Sequence, residues 1–254
     1  MITVNKGIYF SIKFKNLFSS VISLMAIASY LLLILSFYIG VDSNEATSNV
    51  SVMSALPLII IDPGHGGEDG GTSSADGIVE KDINLSISRK LDILLTLCGY
   101  NTLMTRNEDK LIYSGSHESM RSKKVSDIRN RMSVIENNPE SVFLSIHQNY
   151  FTQQKYNGAQ IFYSPNNPES KLIADYIQNS VREGLQTENE RKTKKSGKEI
   201  YLLYHSKTPS VMVECGFMSN PTETALLNDE EYQIKMSLVI LNGLNEYFIA
   251  KGDL

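Results

Sequence analysis

Three side chains able to bind a metal ion stand at separate points of this 254-residue sequence. His65 lies in Asp62-Pro63-Gly64-His65-Gly66-Gly67, Glu80 opens Glu80-Lys81-Asp82, and His147 lies in Ser145-Ile146-His147-Gln148-Asn149. Two imidazoles and one carboxylate suit a catalytic zinc centre, which keeps a fourth position for water; a structural zinc is closed by four protein ligands. The same donors can hold iron(II); zinc is the preferred reading. Each residue also has an ordinary reading taken singly. A lone histidine is commonly a surface or hydrogen-bonding residue, and Glu80 suits the positive end of a helix. His117 and His205, in polar surroundings, read as non-ligands. Cys98 and Cys215 are the only cysteines, which excludes a disulfide scaffold and a Cys-rich zinc site.

The elements around these residues explain how they could meet. Leu58 to Ile61 is a short apolar run stopped by Asp62-Pro63-Gly64, a strand followed by a glycine-rich loop. Ile83, Ile87, Leu91 and Leu94 predict a helix from about Glu80 to Cys98, with Gly99 at its end. Tyr100 to Thr105 reads as a strand, and Arg106 to Lys123 is polar without periodicity. Val125, Ile128, Met132 and Ile135 mark a second helix, stopped by Asn137-Asn138-Pro139. Val142 to Ile146 and Ala159 to Tyr163 read as strands, and Leu172 to Val181 as a third helix. Glu183 to Glu199, with Arg191-Lys192 and Lys194-Lys195 in it, reads as a mobile loop, with a weaker case for contacting an anionic polymer. Ile200 to Tyr204 reads as a short strand, Ser210 to Val213 as a clear one, and Pro221 to Leu227 and Glu230 to Ile249 as helices.

This alternation predicts a single α/β domain with a mostly parallel central sheet flanked by helices on both faces. Sites in such sheets form beyond the carboxyl ends of strands. His65, His147 and Glu214 each fall just past a predicted strand end, so three distant segments would present useful chemistry on one edge. The first helix, at about 1.5 Å per residue, would carry Cys98 nearly 30 Å from Glu80. A disulfide needs Cα atoms within about 7 Å, so Cys98 and Cys215, which adjoins Glu214, should not pair.

Residues 17–41 form an almost uniformly apolar, uncharged run, with Lys6, Lys13 and Lys15 before it and Asp42 and Glu45 after it. Its length suits a membrane-spanning helix more than a cleavable signal segment, and its basic flank would stay in the cytoplasm. The expected organisation is a cytoplasmic basic segment over 1–16, an anchor or signal helix over 17–41, a polar linker over 42–55 and a catalytic domain over 56–254. That places the domain outside the cytoplasm, anchored or released. A net charge of -4 offers no basic footprint for nucleic acid, and the absence of tryptophan limits sugar-stacking platforms.

The motifs around His65, Glu80 and His147, followed by Val213-Glu214-Cys215-Gly216-Phe217-Met218-Ser219-Asn220, together resemble the amidase-3 family of N-acetylmuramoyl-L-alanine amidases. The resemblance runs from Leu58 to Phe248 and is nearest the membrane-anchored, spore-cortex type. It implies zinc held by His65, Glu80 and His147, a catalytic Glu214, and cleavage of the amide between the lactyl group of muramic acid and L-alanine in peptidoglycan. It further implies a role in spore-cortex maturation and muramic-lactam formation. Cys215 departs from the small or aliphatic residue expected there. Asn149 and Arg131 are candidate substrate contacts, and Asp62 a candidate to fix the loop or a ligand's second nitrogen. The sequence leaves open whether an accessory protein partner is required. The alternatives are a zinc peptidase cutting a wall peptide bond, or a non-catalytic wall-binding module of the same fold.

Overall fold

The computed structural model describes residues 56–116 and 119–254; His117 and the segments 1–16, 17–41 and 42–55, including the expected anchor, lie outside them. The strands are β1 (Ile59–Pro63), β2 (Thr102–Met104), β3 (Val142–Asn149), β4 (Gln160–Tyr163), β5 (Lys194–Lys195) and β6 (Ser210–Phe217). The helices are α1 (Glu80–Leu97), α2 (Met120–Glu136), α3 (Pro168–Gly184), α4 (Tyr201–His205), α5 (Pro221–Leu227) and α6 (Glu230–Lys251). They form a sheet in the order β2-β1-β3-β6-β4-β5. Its ladders are parallel except that of β4 with β6. The expected α/β architecture is the one observed. No helix among the described residues is long and apolar enough to cross a membrane.

Strand side chains alternate between faces, and here the two faces differ in content. Ile59, Ile61, Leu144, Ile146, Val211 and Val213 point into the larger core, shared with Ile87, Leu91, Ile177 and Leu244 of α1, α3 and α6. The intervening Ile60, Phe143 and Met212 pack against Met132 and Ile135 of α2 and Leu202 and Leu203 of α4. Truncating a fully buried aromatic such as Phe143 to alanine typically costs about 3–5 kcal/mol. Gly243 allows the close crossing of α6 on α3: a Cβ there would lie 2.6 Å from Ile177 Cα.

Several boundaries differ from expectation. β3 and β6 run on through Asn149 and Phe217, so His147 and Glu214 lie within strands rather than past them. Residues 201–205 form α4 instead of a strand; a short apolar run does not distinguish the two by periodicity. α2 begins at Met120, inside the stretch that shows no pattern, because Ser119 caps it by accepting from Ser122 N. The segment 183–199 is not simply loop: β5 pairs with β4 within it, and Asn189 and Ser196 are buried.

Candidate active site

Alternation places Asp62, His147 and Glu214 on the α2–α4 face, near the carboxyl ends of β1, β3 and β6. His147 and Glu214 are direct partners in the β3–β6 ladder. Two residues beyond β1, His65 adopts a left-handed backbone with φ 63°, unusual for a non-glycine residue. Such a backbone is a strained conformation that the surrounding loop must hold. That turn directs its ring toward His147, with centroids 4.9 Å apart.

Glu80 comes from the first turn of α1. Val79 gives no side-chain cap; the loop caps this helix with its backbone, Glu80 N donating to Thr72 O and Lys81 N to Gly70 O. The Glu80 carboxylate is thereby aimed at both histidines. Its Oε1 lies 3.0 Å from His147 Nδ1 and 3.3 Å from His65 Nε2. One donor atom from each of His65, Glu80 and His147 lies within 4.8 Å of the others. Zinc–ligand distances near 2.0–2.2 Å in a tetrahedron put ligand atoms roughly 3.4 Å apart, so this cluster fits one zinc ion. Gln148 N and Thr72 N also donate to Glu80, and buried Asn84 donates to its Oε1 and to Gly64 O.

The charges are arranged for a cation. Burial disfavours a charged His65, but Asp69 and Glu80 outweigh it and lift its pKa to about 9. Burial alone would raise Glu80; the two imidazoles outweigh it and hold the carboxyl far below its usual range. Glu214 behaves oppositely: burial, reinforced by Glu80, pushes it up to about 7 against the pull of His147 and His65. Its Oε2 is shielded from solvent without a hydrogen-bond partner among the described residues. A buried acceptor left unpaired is costly unless function requires it.

His65, Asp69, His147 and Glu214 line a cleft of about 430 Å³ that also includes Lys124, Ile128, Tyr201 and Met212. His205 packs its ring against Tyr201 and Tyr204 on α4, away from the cluster. Cys98 and Cys215 are both free.

Arg131 borders the cleft, but its guanidinium is taken up by the loop it holds. It is 3 % exposed. All its donors are engaged, by Asp127, Asp62, Pro63 O and His65 O. Asp62 does fix this loop, accepting from Arg131, Thr105 and Ser145. It makes no hydrogen bond to either candidate imidazole; His65 Nδ1 instead lies 2.9 Å from Asp69 Oδ2. Asn149 ends β3 outside the lining of the cleft, its carbonyl accepting from Met218 N.

Sequence reasoning missed three organisers: Asp69, Asn84 and Arg106. Arg106 is 2 % exposed and donates to the carbonyls of Pro63, Gly64, Lys81 and Glu108. The i,i+4 spacings His65–Asp69 and Glu80–Asn84 were available signals. Arg106, in a stretch without periodicity, offered none.

Residues 59–246 match the family model Amidase_3, described as N-acetylmuramoyl-L-alanine amidase. The chain is 33 % identical over 224 residues to the germination-specific N-acetylmuramoyl-L-alanine amidase of Bacillus subtilis, covering 88 % of this chain and 93 % of that one. Its fold is similar to that of the CwlD amidase from Clostridioides difficile, solved in complex with the GerS lipoprotein. That match has a TM-score of 0.74 and 39 % identity, over 76 % of this chain and 99 % of that one. It is also similar to the amidase AmiC2 of Nostoc punctiforme, with a TM-score of 0.62 and 27 % identity over 76 % and 97 %. The chain belongs to the Amidase_3 family and is an N-acetylmuramoyl-L-alanine amidase acting on peptidoglycan.

Proposed function

We propose that this amidase is zinc-dependent, with His65, Glu80 and His147 as ligands and Glu214 as the group that moves protons. The observation that carries this is a buried two-imidazole, one-carboxylate cluster beside a carboxylate with an unpaired, desolvated oxygen. When bound, zinc supplies Lewis acidity, polarising the lactyl carbonyl and making water acidic near neutral pH. Glu214 takes the proton of the attacking water and later delivers it to the departing amine of L-alanine. The lactyl carbon–nitrogen bond breaks, leaving a carboxylate on the sugar and a free amino terminus on the stem peptide. Glu214 ends each cycle ionised, so one carboxylate serves both transfers. Asp69 fixes the orientation of His65 through its second nitrogen.

The biological setting proposed is the spore cortex, where removal of the stem peptide precedes muramic-lactam formation. Its support is the likeness to the germination-specific relative. The domain is proposed to work outside the cytoplasm, held by the apolar segment 17–41 or released from it. By likeness to the lipoprotein-bound CwlD, an accessory protein partner is proposed as well.

The test is digestion of purified peptidoglycan by the full chain, with products read by mass spectrometry. Glycan with free lactyl carboxyl groups and stem peptides with free L-alanine amino termini are expected. Chelator should abolish both products, and zinc should restore them. Amino acids left attached to the lactyl group would indicate a peptidase instead.

A further inference from the structure

On the β4 side of Glu214 lies an arginine that the mechanism does not use. Between His147 and Asn149 the β3–β6 ladder shifts register. Cys215 and Gly216 pass opposite the single residue Gln148, a β-bulge. Alternation therefore restarts, and Phe217, paired with Asn149, emerges on the same face as Glu214. On the other flank of β6, Glu214 is paired with Gln160 of β4.

Arg191 covers this surface. Its guanidinium sits 4.5 Å from the Phe217 ring centroid and 5.9 Å from that of Tyr156. Its Nε donates to Asn157 O at 2.7 Å, and its Nη1 reaches Gln160 Oε1 at 3.5 Å. Arginine has five donors; the Nη2 edge has no hydrogen-bond partner among the described residues, and the nearby Glu223 carboxylate, which feels the Arg191 charge, is instead bonded to Gly158 N and Phe217 N. A guanidinium held over an aromatic ring, tethered at one edge and open at the other, is organised to bind a carboxylate in bidentate fashion.

We propose that Arg191 binds a carboxylate of the stem peptide and thereby selects the substrate. This rests on the reading of Glu214 and the cluster as the amide-cleaving centre. Neighbouring strands are about 4.8 Å apart, so Gln160, the ladder partner of Glu214, lies within roughly one to two residues' length of it, and Arg191 adjoins Gln160 on the side away from β6. Two peptide residues span at most about 7 Å. A stem whose second residue is linked through its side chain carries a free α-carboxylate at that distance from the scissile amide. The terminal carboxylate of the stem offers the same chemistry from further along.

The experiment uses the full chain and glycan oligomers bearing stems in four forms. The second-residue α-carboxylate is either free or converted to a carboxamide, and the terminal carboxylate of the stem is likewise either free or a carboxamide. With the wild type, loss of the recognised carboxylate should lower kcat/KM about 10- to 100-fold, mostly through KM, as expected for a charge-assisted hydrogen bond. A fall on amidation of the second residue assigns the α-carboxylate; a fall on amidation of the stem terminus alone assigns the terminal one. Arg191→Gln should lower the rate on the preferred substrate to that on the uncharged one, and Arg191→Lys should restore it only in part. Equal wild-type rates on all four forms overturn the proposal, needing no variant. So does a loss in Arg191→Gln that is equal on charged and uncharged stems, the signature of a loop tether alone. If the wild type releases no L-alanine amino terminus from any form, the amide-cleaving reading itself falls, and the subsite with it.

Discussion

His147 and Glu214 face each other across the β3–β6 ladder, one a candidate ligand and the other the candidate proton carrier. Because both are fixed by the same backbone hydrogen bonds, the spacing between His147 and Glu214 is set by the sheet, not by a loop. Rigid strands hold reacting groups more closely than loops can. Glu214→Gln keeps the shape and removes the base. It is expected to lower kcat about 10²- to 10⁴-fold while leaving zinc content unchanged. Steady-state kinetics with metal analysis checks this; an active variant would remove Glu214 from the chemistry.

Glu214 also makes a prediction about stability. An ordinary glutamate ionises near 4.5, and burial raises this one to about 7. The folded metal-free protein therefore favours the protonated form. That stabilisation is fully present below about pH 4.5 and is lost as pH rises through 7. In the presence of chelator, Glu214→Gln should be more stable than the wild type at pH 8, by at most about 3 kcal/mol. The difference should vanish near pH 4.5. Denaturant titrations at the two pH values read it; a less stable variant at pH 8 would contradict the burial argument.

Arg131 is predicted to matter for folding rather than substrate affinity. It joins Asp127 of its own helix to Asp62 of β1, at 2.8 and 2.5 Å. Removing one partner of a buried ion pair typically costs about 3–5 kcal/mol. Arg131→Ala should lower Tm by roughly 10 °C or more, and whatever enzyme remains folded should keep a near-normal KM. Calorimetry and kinetics on the same preparation separate the two effects.

Glycine at 71 is a steric requirement of the site. Its φ is +72°, and a Cβ there would lie 2.5 Å from Glu80 Oε2 and 2.7 Å from His65 Cδ2. Gly71→Ala should loosen zinc by displacing these groups, with the far side of the sheet intact. A competitive chelator titration is expected to show weaker zinc binding alongside a circular dichroism spectrum matching the wild type. Unchanged affinity would show that the loop yields at little cost.

The fold was legible where periodicity was strong. Ile83, Ile87 and Leu91 announce α1, and the apolar runs at 58–61 and 142–146 announce β1 and β3, because each buries a continuous stripe. The candidate site was legible because chemically distinct residues sit beside glycine turns and strand ends. The unread parts share a physical cause: they depend on partners distant in sequence. Asp62 satisfies Arg131 rather than a ligand imidazole, which no local pattern reveals. Leu202 and Leu203 form a helical turn because they fill a space between β6 and α2. Phe217 reaches the catalytic face only because a bulge resets the alternation.

The most direct test of the central claim is the metal content of the full-length protein after dialysis. One zinc per chain is predicted for the wild type and for Glu214→Gln, with loss of zinc in Glu80→Ala and in His147→Ala. Zinc retained at full stoichiometry by both ligand variants, or no divalent metal bound by the wild type, would contradict the account.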